Sequence, residues 1–190
     1  MDTDTHMPVV YIDCDGVLAD YVVGVQKLFD PLGYEVDSKW YPESYELHKL
    51  LGIPLYEYQH KIINAECFWI CLHPLVNGLA FAKELFDRGV IIKIVTSPFP
   101  GDPSFYQQRI DWLKKFMPYI NETDIIFDRD RCHIAYGTRF AMSKILIDDN
   151  YQNIKDWTLV GGQGFLTKAS YNEHAFSFDT LLSIILAQRP

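Results

Sequence analysis

Apolar residues fall along this chain in short unbroken runs, separated by longer stretches in which they recur every three or four positions. The first run, from Pro8 to Ile12, is β-branched and shows no polar alternation. That pattern predicts a strand buried on both faces in a parallel sheet. Similar runs follow in "VIIKIVTS" (Val90–Ser97), "DIIF" (Asp124–Phe127) and "KILIDD" (Lys144–Asp149), with a last short strand in "GQGFLTKA". Between them, "NGLAFAKELFDRG", "DPSFYQQRIDWLKKFM", "NIKDWTLVGG" and the closing "FSFDTLLSIILAQ" read as helices. Strands and helices alternate from about Val76, which implies parallel βαβ units.

The segment between the first strand and Val76 is different. It holds a helix at about Tyr21 to Phe29, a loop broken by Pro31, Gly33 and Pro42, and two short helices in "SYELHKLLG" and "PLYEYQHKIIN". No convincing strand appears there. The expected fold is therefore α/β: a Rossmann-like parallel sheet with helices on both faces and a small helical cap inserted after the first strand. Residues 1–19 and 75–190 form the core and 20–74 the cap. The 190 residues fit one domain with such an insertion.

A formal net charge of -8 with no Lys/Arg-rich run argues against binding a nucleic-acid backbone. No apolar stretch is long enough to span a membrane. The N-terminal "MDTDTHMPVV" is too polar and acidic to read as a signal peptide. The four cysteines (Cys14, Cys67, Cys71, Cys132) lack metal-site spacing and read as reduced, partly buried thiols, so the chain is expected in the cytoplasm. The histidines form no HxxxH or HxH pair, and His73 is expected to be structural.

Chemistry gathers at strand ends, where open parallel sheets place their sites. Asp13 and Asp15 follow the first strand, Thr96 and Ser97 the second apolar run, and Asp148 and Asp149 the run "KILI". Each signal is weak alone: DxDG occurs in turns and calcium loops, and TS or DD can cap a turn or helix. All three in order, each directly after an apolar strand, point to one site. Four converging carboxylates cannot all stay ionised without a cation. Oxygen-only ligands favour Mg²⁺, the hydroxyls suit phosphate oxygens, and Gly16 lets the backbone turn and approach a ligand. Together they indicate phosphoryl transfer.

"YIDCDGVLAD", "IVTSPF" and "ILIDDN" resemble the first, second and fourth motifs of the haloacid dehalogenase-like phosphatase superfamily. "DGVLADY", "VTSPF" and "LIDD" are closer still to its 5'(3')-deoxyribonucleotidase group. The resemblance implies that Asp13 is the nucleophile, forming an aspartyl-phosphate, and that Asp15 is the acid/base. It implies Mg²⁺ held by the Asp13 carboxylate, the Asp15 backbone carbonyl and Asp148. Thr96 and the amides after it would grip the phosphoryl oxygens with Ser97 and Gly16, while Asp149 would orient the metal's water shell or a basic neighbour. The family's third motif, a lysine, is missing from its usual place. The reading favours Arg139 as the catalytic and phosphate-binding cation, over Arg131 after "DRD" and over Lys144, which lies about 13 Å back along its strand.

Aromatics reach 15% of residues, many of them in the cap, where most should pack. By the resemblance, Tyr21, Trp40 and Tyr41 would contact a nucleobase and Phe68 and Trp69 would pack. Asn150 stands where the group tends to have arginine. The expected activity is a Mg²⁺-dependent phosphomonoesterase acting on nucleoside monophosphates. The alternatives are another small phosphate ester, such as a sugar phosphate, or a non-catalytic, receiver-like metal and phosphate-binding domain. The cap and the Asp13-x-Asp15 spacing disfavour the last. Exposed cap aromatics are compatible with a homodimer, which nothing in the sequence fixes.

Overall fold

The computed structural model describes residues 8–34, 47–136, 143–167 and 175–188. Trp40, Tyr41 and Arg139 lie outside the described residues. Strand β1 (Val9–Asp13) leads through β2 (Ala19–Asp20) into helices α1 (Tyr21–Phe29), α2 (Leu47–Leu50) and α3 (Leu55–Ile63). The chain returns by β3 (His73–Pro74) to α4 (Val76–Asp87), β4 (Ile91–Thr96), α5 (Phe105–Phe116) and β5 (Ile125–Phe127). It closes with α6 (Cys132–Ala135), β6 (Lys144–Asp148), α7 (Tyr151–Leu159), β7 (Gln163–Leu166) and α8 (Phe178–Ala187).

Five strands form one parallel sheet in the order β5-β4-β1-β6-β7. Successive side chains of a strand face opposite sides, and both sides here are covered. Val10, Ile12, Ile94, Ile145 and Ile147 join one core with residues of α4, α5 and α8, including Leu85, Trp112 and Ile185. Tyr11, Val95 and Leu146 pack on the other side with Ala135 of α6 and Trp157 of α7. Double coverage is why β1 reads as a continuous apolar run.

The chain leaves β1 toward β4 and β5, then crosses back to β6 and β7 on the other side. This reversal opens a crevice at the carboxyl ends of β1 and β6. In register, Asp13 lies beside Val95, directly before Thr96, while Ile12 lies beside Ile147, directly before Asp148.

Three local expectations change. The inserted segment does contain strand: β2 and β3 pair antiparallel, Ala19 opposite Pro74 and Asp20 opposite His73. They tie the chain just after the β1 turn to the chain just before α4. Helix α7 starts at Tyr151 rather than near Asn153, because the Asn150 side chain accepts from the Gln152 amide (2.9 Å) and supplies the N-cap. Helix α5 starts at Phe105, because Asp102 binds the Ser104 amide (2.8 Å) in a turn. All four cysteines are free thiols, but only Cys14 is buried; Cys67 and Cys71 are exposed. Among the described residues, no helix is long and apolar enough to cross a membrane.

Candidate active site

Asp13 ends β1, and the chain then folds into a tight turn. Both Leu18 and Ala19 donate their amides to the Cys14 carbonyl, at 2.9 and 2.8 Å. Gly16 takes φ +85°, a conformation open to glycine at little steric cost. Its amide donates to the Ala19 carbonyl (2.8 Å), which closes the turn. The turn leaves Asp13 buried and Asp15 partly open, its side chain 17% exposed.

Asp13, Asp148 and Asp149 are all buried, with carboxylate oxygens within 4.8 Å of one another. At an effective dielectric near 20, each ionised pair at that separation repels by about 3 kcal/mol. Burial, then Asp148, holds the Asp13 carboxyl well above the usual carboxylate range, against the pull of Arg131. Burial, then Asp148 and Asp13, does the same to Asp149. Burial also raises Asp148, against Arg131, the Asn150 amide and Asn153. The Asn150 amide (2.8 Å) and Asn153 Nδ2 (2.9 Å) each bind one Asp148 oxygen and fix that carboxylate.

Arg131 enters this cluster. The loop after β5 is drawn over β4 by the Asp128 amide donating to the Thr96 carbonyl (3.1 Å). Arg131 then pairs with Asp13, donates to Ser97 Oγ (2.7 Å) and to the Asp128 carbonyl, and lies 3.7 Å from Asp148. Lys144 instead donates to the Ile134 carbonyl, away from the cluster. Arg139, the favoured sequence candidate, lies outside the described residues. Thr96 is buried, and its Oγ1 has no hydrogen-bond partner among the described residues. A buried hydroxyl in that state is unfavourable unless a ligand satisfies it.

The donor set fits a hard divalent cation. Among the described residues three buried carboxylates cluster beside the Arg131 guanidinium, the donors they offer are all oxygen, and the mutual repulsion of the acids is what a cation would relieve.

A cavity of about 410 Å³ opens over these groups. Its floor includes Asp13, Asp15, Ser97, Arg131, Asp148 and Asp149, and its inserted-segment wall includes Tyr21, His48, Tyr58, Gln59 and Trp69. Tyr21 stacks on Trp69 (centroids 5.7 Å apart, 4° between planes) and hydrogen bonds Tyr58 through the hydroxyls (2.6 Å). Burial, then Tyr58, keeps the Tyr21 phenol far from ionisation. Trp69, expected to pack, is buried and also lines the cavity; Phe68 is buried against Trp69. His73 lies outside this lining, in β3, and meets Lys27.

Sequence reasoning passed over two residues here. Asn153 gave no signal beyond its place five residues after Asp148. Arg109 gave one: in α5 it shares the buried helical face of Phe105, Trp112 and Leu113, an unusual position for a charge. It is fully buried and donates from one terminal nitrogen to both Asp15 oxygens, at 2.7 Å each.

Solved structures share this fold at low identity. A haloacid dehalogenase-like family hydrolase from Xanthomonas campestris is 15% identical (TM-score 0.57, 99% of this chain and 94% of that one covered). An HAD family hydrolase from Deinococcus radiodurans R1, solved with bound phosphate and sodium, is 12% identical (TM-score 0.55, 96% and 89% covered). A putative HAD hydrolase of Bacillus subtilis, solved bound to magnesium, is also 12% identical (TM-score 0.54, 95% and 99% covered). No match was found among curated proteins. The fold is thus that of the HAD-like hydrolases. Over residues 7–182 the chain matches the family described as "5' nucleotidase, deoxy (Pyrimidine), cytosolic type C protein", and it belongs to that family. It is a hydrolase, an HAD phosphatase of the 5'-nucleotidase type.

Proposed function

We propose that the protein is a Mg²⁺-dependent phosphomonoesterase that cleaves nucleoside monophosphates through an aspartyl-phosphate. The observation carrying this reading is the crevice between β1 and β6. It gathers three buried carboxylates, Arg131 and the unsatisfied Thr96 hydroxyl beneath an aromatic-walled cavity. In this proposal residues 20–74 act as a cap over a core of residues 1–19 and 75–190.

Asp13 attacks phosphorus in line; its Oδ–P bond forms as the ester P–O bond breaks. Asp15, protonated, gives its proton to the leaving oxygen. Asp15 then takes a proton from water, whose oxygen attacks phosphorus; the Asp13 Oδ–P bond breaks, and inorganic phosphate and the Asp13 carboxylate are released. Arg131 neutralises charge on Asp13 and the phosphoryl oxygens, with Ser97 held against it and Thr96 Oγ1 donating to phosphate. The Asp13 carboxylate, the Asp15 carbonyl and Asp148 would hold Mg²⁺, which when bound neutralises charge on the acids and phosphate. Asp149 supports that shell. Tyr21 and Trp69 offer an aromatic wall against which a base can pack, and the cavity excludes water from the reacting groups.

A phosphate-release screen with Mg²⁺ across deoxynucleoside and ribonucleoside monophosphates and sugar phosphates tests the substrate class. Turnover concentrated on nucleoside monophosphates supports the proposal. Efficient turnover of sugar phosphates with none on any nucleotide would overturn it.

A further inference from the structure

We infer that Arg109 is the positioning residue for Asp15, fixing the general acid so that its proton faces the substrate. This rests on the phosphatase reading and adds a residue that lies outside its motifs. Arg109 stands 94 positions from Asp15 in sequence and comes from the middle of α5, a helix that contributes no other group to the reacting centre. Its guanidinium is fully buried. One terminal nitrogen bridges both Asp15 oxygens at 2.7 Å; the other donates to Cys14 Sγ at 3.2 Å. The guanidinium carbon lies 5.2 Å from the Trp69 ring centre and 5.4 Å from that of Phe105, so two cation–π contacts help hold it.

Burying a guanidinium is strongly unfavourable unless its charge is matched. Asp15 supplies the match and keeps Arg109 charged against the pull of burial. The arrangement also has a chemical consequence. Arginine carries only donors, so it cannot accept a proton from Asp15. A proton carried by Asp15 is therefore turned away from Arg109, and Asp15 lines the cavity. There the proton passes to the ester oxygen as the P–O bond breaks, and it is replaced from water in the second half-reaction. Trp69 touches both Arg109 and Tyr21.

The test uses the dependence on leaving group. An alkyl ester such as a nucleoside monophosphate needs its oxygen protonated on departure, whereas p-nitrophenyl phosphate does not. Wild type, Arg109→Lys, Arg109→Met and Asp15→Ala are compared on both substrates with Mg²⁺, with thermal unfolding recorded for each. Arg109→Met should lower kcat on the nucleotide at least tenfold more than on the aryl phosphate, with KM little changed, and Arg109→Lys should recover part of the loss. Adding Arg109→Lys to Asp15→Ala should produce no further loss on the nucleotide, because Arg109 acts through Asp15. Equal losses on both substrates, or a full additional loss in the Asp15→Ala background, would overturn the assignment. Wild type inactive on both substrates would instead remove the phosphatase reading, and this inference with it.

Discussion

Arg131 pairs with Asp13 across 118 positions of sequence, at the one point where the ends of β1 and β4 and the loop after β5 meet. The same guanidinium holds Ser97 Oγ at 2.7 Å and stands 3.7 Å from Asp148. Under the proposed function it serves as the cation beside the nucleophile.

Arg131→Ala should lower kcat by about 100- to 1000-fold, the usual size for removing a fixed donor to developing charge. Arg131→Lys should keep part of the activity, since lysine supplies the charge without the planar fork. Lys144→Ala should leave kcat close to wild type, because Lys144 bonds the Ile134 carbonyl. Steady-state phosphate release from a nucleoside monophosphate checks all three. A Lys144 loss as large as the Arg131 loss would contradict the placement.

Without metal, stability should fall as pH rises. Asp13, Asp148 and Asp149 have carboxyls raised in the folded state, chiefly by burial. Between the ordinary carboxylate pKa, about 4, and those raised values, the folded state binds more protons than the unfolded one. Stability therefore declines with pH across that window. A cation removes the repulsion, adding about 2.7 kcal/mol at a hundredfold excess over its Kd. Thermal unfolding at pH 5 to 8, with chelator or with Mg²⁺, should show a Mg²⁺-induced Tm gain that grows with pH. A gain that shrinks with pH would speak against a metal among these acids.

Tyr21→Phe should destabilise the protein by about 1–3 kcal/mol, because it leaves the Tyr58 hydroxyl buried without its 2.6 Å partner. Changing both to Phe should restore most of that loss, since no polar group is then stranded. Denaturant unfolding of the single and double variants measures it. A double variant as unstable as the sum of the singles would refute the pairing.

Gly78→Ala should destabilise by about 1–3 kcal/mol or more. A Cβ there would come within 1.9 Å of the Val17 carbonyl oxygen, in the turn that carries Asp15. Activity should fall along with Tm. An unchanged Tm would contradict this close approach of α4 to the catalytic turn.

The strands and the three acidic or hydroxylic strand ends were legible because each depends on local pattern. Apolar runs mark doubly covered strands, and polar residues directly after them mark the crevice rim. Asn150 also made local sense once seen as the α7 cap. What pattern could not reach was long-range pairing. Arg131 and Arg139 both follow β5 in sequence, and contacts far apart in sequence, among them Asp128–Thr96 and Arg131–Ser97, place Arg131 over the end of β4. Trp69 reads as a packing residue and does pack, yet one side of it borders the cavity. Arg109 reads as one position in a helix; its partner Asp15 lies in the turn after β1. The β2–β3 pair is two residues per strand, too short to leave an alternation.

The central claim is a covalent phosphoryl intermediate on Asp13, and rapid quench with a labelled nucleoside monophosphate tests it most directly. With Mg²⁺, acid-quenched wild type should carry up to one acid-stable phosphoryl group per chain. Peptide mapping should place it on Asp13, and Asp13→Asn should carry none and turn over no substrate. Full turnover by Asp13→Asn, or label on any other residue, would contradict the account.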